Sequence, residues 1–229
     1  QIAQISEGQI GIQVFAFAIS QLDTDSAPDK IDGYSTIGFG CSGQVYEVGP
    51  NVDGFSVGDR VSCLGTGTAR NYYYDQASAF QKIGNMISYE DAASFPLAYT
   101  VAFYIAHEIA GIKSSDRVLI HDAATWYGQA LIEICLICEV EVSAIVFNEA
   151  QRDVLLKKLH IEPRQVFIGG KDNIARCLLK STHGKLPRVV ITPGKLNSKI
   201  FTTLFKLTAP FGHMIHVHTQ PQGHQPQNT

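Results

Sequence analysis

The sequence predicts an α/β fold in two parts, a small antiparallel β-barrel followed by a parallel sheet with helices on its faces. Three observations carry this. Residues 1–96 are rich in glycine and in period-two alternation of apolar and polar residues. Helix formers appear abruptly at Tyr89-Glu90-Asp91-Ala92-Ala93. From Arg117 onward, short β-rich runs recur roughly two dozen residues apart, the spacing of one βα unit each.

In chain order, Gln9 to Ala16 places apolar residues at every second position, as a half-buried strand does. Gly43 to Gly49 reads as a second strand closed by Gly49-Pro50-Asn51, and Val57 to Val61 as a tight turn entering a third. Pro96 is expected to break the helix that begins near Tyr89, ahead of a further segment from Thr100 to Ala110. The domain boundary is placed there. The β-rich runs are Val118 to His121, Val142 to Val146, Val166 to Ile168, Val189 to Ile191 and Met214 to Val217. Ala130 to Cys138 is apolar almost all round, which suits a helix wedged between the sheet and a second layer. Ile200, Phe201, Leu204, Phe205 and Leu207 fall on one helical face. The expected domains are 1–96, 97–219 and a polar linker or disordered end at 220–229.

Composition narrows the function. A net charge of -3 and a pI near 6.2 give no basic footprint for nucleic acid. The start, Gln1 to Ser6, lacks a basic segment followed by an apolar run, and no stretch approaches the ~18 apolar residues of a membrane span. Neither a membrane nor a nucleic-acid partner is expected. Five cysteines in no disulfide-dense pattern make a reducing cytoplasm the default.

Three stretches resemble the zinc-independent enoylreductases of fungal reducing polyketide synthases and animal fatty acid synthase, within the medium-chain dehydrogenase/reductase superfamily. They are Cys41-Ser42-Gly43 through Val45 to Gly49 and on to Phe55 to Val61, then Glu90 to Pro96, and Arg117 to His121. The resemblance runs colinearly from about Ile10 to Thr219. It implies a GroES-like barrel followed by a Rossmann-like doubly wound sheet, incomplete at the C-terminus because the family chain continues well beyond Thr219. It also implies an ancestral NADPH site.

That site is expected to have decayed. Where the family has a run resembling Ala-Gly-Gly-Val-Gly-Gln, this sequence has Ala124-Thr125-Trp126-Tyr127-Gly128-Gln129. Glycines there let backbone amides approach a pyrophosphate, and an indole obstructs that approach. Trp126 either packs over the sheet edge or belongs to a rearranged, still functional loop. At the position of the 2′-phosphate cations, Arg152 remains, the family lysine corresponds to Gln151, and Glu149 adds negative charge. Thr192-Pro193 corresponds to an Asn-Ser pair beside the nicotinamide, and Gly212 to His218 to a glycine-bounded run. On the substrate side, Ser20-Gln21-Leu22-Asp23 keeps only Asp23 of an Asn-Phe-x-Asp element. Asp172 matches a proton-donor candidate whose lysine partner corresponds to Gln151, and its structural alternative is a helix cap.

Other constellations carry less. His213, His216 and His218 lack the closed ligand set of a zinc site. Cys135 and Cys138 have redox-motif spacing inside an apolar helix, where packing is favoured. Gly65 to Thr68 lacks the Lys-Ser/Thr of a phosphate loop, and Tyr72-Tyr73-Tyr74 reads as barrel wall or domain contact. The leading expectation is a non-catalytic enoylreductase domain, binding no cofactor, that scaffolds a reducing polyketide synthase and its homodimer. The alternatives are an active NADPH-dependent enoyl-thioester reductase, and a dock for a carrier domain or a trans-acting enoylreductase.

Overall fold

A computed structural model describes residues 5–20, 23, 37–193 and 197–217. The expected linker at 220–229, and His218, lie outside them. The backbone divides into two compact units, which meet in the chain at Leu97 and Ala98.

In the first unit, β1 (Gln9–Ala18), β2 (Gly40–Val48), β3 (Arg60–Leu64), β4 (Tyr72–Gln76) and β5 (Phe80–Lys82) form an antiparallel sheet in the order β4-β1-β2-β3-β5. The strands at opposite ends of this ladder, β4 and β5, are joined only by the short turn Ala77–Ala79. A flat sheet cannot satisfy that connection, so the ladder curls on itself. Tyr73 of β4 and Phe80 of β5 meet across the interior with ring centroids 6.3 Å apart. Ile10, Ile12, Cys41, Val45, Val61 and Cys63 fill the enclosed core. The tyrosine run is therefore wall: Tyr73 points in, while Tyr72 and Tyr74 both meet the edge of Tyr46.

Helix α1 (Tyr89–Phe103) corrects one expectation, because it runs straight through Pro96 and continues into a π-helical turn at Tyr104–Ile109. A proline inside a helix leaves the carbonyl four residues earlier without its donor. Here that carbonyl belongs to Ala92, and the buried Ser62 of β3 donates its hydroxyl to it at 2.6 Å. Ser42 of β2 does the same for Tyr89 at 2.5 Å. The barrel wall supplies what the ring removes.

The second unit holds β6 (Arg117–His121), β7 (Glu141–Val146), β8 (Val166–Ile168), β9 (Val189–Pro193) and β10 (His213–Val217), all parallel, in the order β10-β9-β6-β7-β8. This is a doubly wound, Rossmann-like sheet. Helices α2 (Trp126–Ile137) and α3 (Glu149–Lys158) pack on one face through Leu131, Ile132, Cys135 and Leu155. Helices α4 (Ile174–Ser181) and α5 (Ser198–Lys206) pack on the other through Leu178, Leu204 and Leu207. Two patterning expectations need correction. The helix expected at Ala130 to Cys138 begins at Trp126, and it leaves Ile137 79% exposed. On α5, Ile200 and Leu204 face the core while Phe201 and Phe205 stay outside it, so the five apolar residues do not share one buried face.

The five cysteines are free thiols. Cys135 is buried, and burial pushes its thiol up to about 12, as suits inert packing. Among the described residues no helix is long and apolar enough to cross a membrane, and no group of three or more His, Cys, Asp or Glu is placed to hold a metal ion.

Candidate functional site

In an open parallel sheet, ligands bind at the carboxyl ends of the strands where the crossovers reverse direction. That switch point lies between β6 and β9. β6 ends there in His121, and β9 carries Thr192 one residue before its end; both are buried, with His121 Nδ1 3.3 Å from Thr192 Oγ1. Phe147, just past β7, sets its ring edge-on to the imidazole at 5.6 Å.

Burial holds the His121 pKa below the ordinary value. The neutral ring is therefore native, and the proton goes preferentially to the unfolded chain. Stability from this group is intact above the unfolded value of about 6.5 and falls as pH drops below it. In a urea titration across pH, His121→Gln is expected to flatten this limb; an unchanged limb removes His121 from the account.

The β6–α2 turn is built from side chains. Asp122 takes a left-handed backbone (φ 54°), and burial raises its carboxyl pKa above the usual carboxylate range. Thr125 caps α2: its Oγ1 accepts from Gly128 N–H at 3.3 Å and donates to the Asp122 carbonyl at 3.0 Å. Trp126 opens the helix, half-buried against the core, with its ring edge on Tyr127 at 4.7 Å. Gly128 has a separate reason to remain. A Cβ on it would lie 2.8 Å from both the Ala123 carbonyl and Thr125 Oγ1. Its retention follows from helix-strand packing and carries no information about phosphate.

At the β7–α3 turn, Asn148 caps the helix by accepting from Gln151 N–H, and Gln151 Oε1 turns back to accept from Phe147 N–H at 2.8 Å. Gln151 is thereby a capping residue. Glu149 lies between two cations, pairing with Lys171 and, at 3.9 Å, with Arg152, whose guanidinium also donates to the Pro163 carbonyl.

Asp172 does not cap α4, as its structural alternative had it. Asn173 does, accepting from Arg176 N–H, while Asp172 accepts from Ile168 N–H at 2.7 Å and closes the turn after β8. In the first unit, Asp23 is buried, and its two oxygens take Ser20 N–H, Ser20 Oγ–H and Gly38 N–H, all within 2.8 Å. The structure thus groups Thr125, Trp126, Tyr127 and Gly128 at the start of α2 and Gln151 and Arg152 at the start of α3, while Thr192 meets His121 at the end of β6. Sequence reasoning missed His121, Asp122 and Lys171. Asp122 was visible as a carboxylate abutting the glycine-run positions; the Lys171–Glu149 pairing required the fold.

Residues 6–102 match the alcohol dehydrogenase GroES-like domain. Over 206 residues the chain is 27% identical to the highly reducing polyketide synthase phiA of a fungal species, covering 90% of this chain and 8% of that protein. Over 218 residues it is 32% identical to the hybrid PKS-NRPS synthetase pynA of Aspergillus niger, covering 93% and 6%. The chain spans less than a tenth of the length of these relatives. Its fold superposes on the crystal structure of the CurK enoyl reductase with a TM-score of 0.80, at 23% identity, over 94% of this chain and 67% of that one.

Proposed function

This chain belongs to the medium-chain dehydrogenase/reductase fold and is homologous to a segment of the fungal reducing polyketide synthases; on that premise we propose that it is an enoylreductase-type domain that no longer binds NADPH and acts as a scaffold within such a synthase. The carrying observation is the β6–α2 turn. A dinucleotide pyrophosphate needs bare backbone amides at a helix start. Here a threonine side chain accepts from Gly128 N–H, an indole stands at the first helical position, and a half-buried aspartate, Asp122, belongs to the same turn. At the β7–α3 turn Gln151 is held by Phe147, and Glu149 pairs with both Arg152 and Lys171 and offsets part of their charge. The residues present do not fit the dinucleotide.

Calorimetric titration with NADPH tests this. No saturable binding is expected in the micromolar range, whereas a dissociation constant at or below low micromolar, worth about 7 to 8 kcal/mol, restores the active-reductase reading. The variant Thr125→Gly/Trp126→Gly controls for folding, since it reopens the turn and is expected to bind more tightly than the wild type.

A scaffold of this kind needs a partner surface, and we place a homodimer contact at β10, an end strand of the described sheet carrying Met214, Ile215 and Val217. Light scattering is expected to report a dimer that Ile215→Lys disrupts; a monomer at tens of micromolar would rule this contact out.

A further inference from the structure

The charge of this chain is unevenly distributed. Residues 173–229 contain 7 Lys and Arg and no Asp or Glu, whereas residues 1–172 contain 11 Lys and Arg against 21 Asp and Glu. A segment of net charge +7 therefore follows one of -10.

The described part of the basic segment is α4, β9, α5 and β10. Both helices cover the same face of the parallel sheet, and their inner sides are fixed by Leu178, Leu204 and Leu207. Their outer sides are fixed as a result. Helix α4 presents Arg176 and Lys180, one turn apart, beside Leu179; α5 presents Lys199 and Lys206; and Lys185 lies in the connection to β9. Between its lysines α5 holds out Phe201 and Phe205, 48% and 63% exposed and stacked with centroids 6.1 Å apart. The turn after α5 adds the wholly exposed Phe211.

Arg188 is bound to Asp116, but among the described residues Arg176, Lys180, Lys185, Lys199 and Lys206 stand in no ion pair. Ordinary surface helices intersperse both signs of charge and leave large apolar side chains singly exposed. An exposed, stacked aromatic pair on a helix whose charged residues are all cations, in a segment without a carboxylate, instead has the ingredients of an interface: an apolar anchor with charge of one sign nearby in the chain.

We propose that the outer face of α4 and α5 is a docking surface for an acidic protein segment, an amphipathic helix whose apolar side covers Phe201 and Phe205 and whose carboxylates meet Lys180, Lys199 and Lys206. A helix-sized partner touches the basic face alone. A nucleic acid offers no apolar side to cover Phe201 and Phe205, and the net charge of -3 on the whole chain gives no broad basic footprint for a nucleic acid or an anionic bilayer. The inference is independent of whether the switch-point site binds NADPH.

Fluorescence anisotropy with the 229-residue chain tests it, using a labelled amphipathic helical peptide with glutamates on its polar face. The same peptide with lysines in their place, phosphatidylserine-containing vesicles and a DNA duplex serve as comparisons. The acidic peptide is expected to bind saturably and the others to fail. Lys199→Glu/Lys206→Glu is expected to weaken binding about tenfold or more and to reduce its salt dependence. Phe201→Ser/Phe205→Ser is expected to weaken it about tenfold with the salt dependence kept. Both pairs are exposed, so circular dichroism is expected to show the native fold in each variant. The proposal is overturned by no binding of the acidic peptide, by equal binding of the basic one, by indifference to both variants, by preference for vesicles or DNA, or by self-association through this face.

Discussion

Replacing Arg188 with methionine is expected to lower the unfolding free energy by about 2 to 4 kcal/mol, among the largest losses available to a single substitution in the second unit. The guanidinium lies just before β9, where it donates from Nε and Nη2 to the two oxygens of Asp116 at 2.6 Å each, and from Nη2 to the carbonyls of Ala110 and Gly111. The Asp116 side chain is 9% exposed, so the variant leaves its carboxylate with the Lys113 N–H alone and takes the side-chain donor from the part-buried Ala110 carbonyl. The arginine's own 32% exposure keeps the figure toward the lower end. Arg188 holds the Asp116 carboxyl below the usual carboxylate range. This stability is therefore present above the unfolded carboxylate value of about 3.9 and is lost as pH falls through the lower folded value. Urea unfolding at pH 7 measures the loss, and the gap between wild type and variant should narrow below pH 4. Asp116→Asn/Arg188→Met should cost less than the sum of the single changes, and strict additivity would show that the pair does not act as a unit.

Ser62→Ala is expected to cost about 1 to 3 kcal/mol, because it leaves the Ala92 carbonyl buried without a donor. The reason is conditional on the proline, which makes the test sharp. In a Pro96→Ala background residue 96 regains its N–H, the helix supplies its own bond to Ala92, and the serine becomes dispensable. The same substitution should then cost at least about 1 kcal/mol less. An equal cost in both backgrounds would mean that Ser62 matters for packing alone.

The parallel sheet was legible because its strands are apolar runs of strand length, and the observed β6, β7, β8 and β10 lie within a residue or so of the expected ones. The course of the chain at Pro96 was not legible. Whether a proline interrupts a helix depends on whether another donor reaches the exposed carbonyl, and that donor came from a strand far off in sequence. The outward turn of Phe201 and Phe205 escaped for a related reason. Five apolar residues at helical spacing span a wider arc than a helix lying on a sheet can bury, and periodicity does not say which flank is left out. At the candidate site, the altered glycine run and the loss of the second cation were read from sequence. The engagement of Gln151 with Phe147 N–H and of Glu149 with Lys171 depends on turns that bring separate segments together. The sequence offered Asp172 as a helix cap, and the backbone path after β8 gives that role to Asn173 instead.

The closed ladder of the first unit has a kinetic corollary. Its outermost strands are neighbours in sequence but do not pair with each other: β5 finds the nearby β3, with Val61 opposite Lys82, whereas β4 must find β1, with Gln9 opposite Gln76. The meander β1-β2-β3 can grow strand by strand, but closing the ladder through β4 joins Gln9 to Gln76, and that loop spans most of the unit. The parallel sheet assembles differently, since β6, α2 and β7 make a local repeat whose contacts are short in sequence. Refolding from denaturant should accordingly show the amides bonded between β1 and β4 acquiring hydrogen-exchange protection late and as one set.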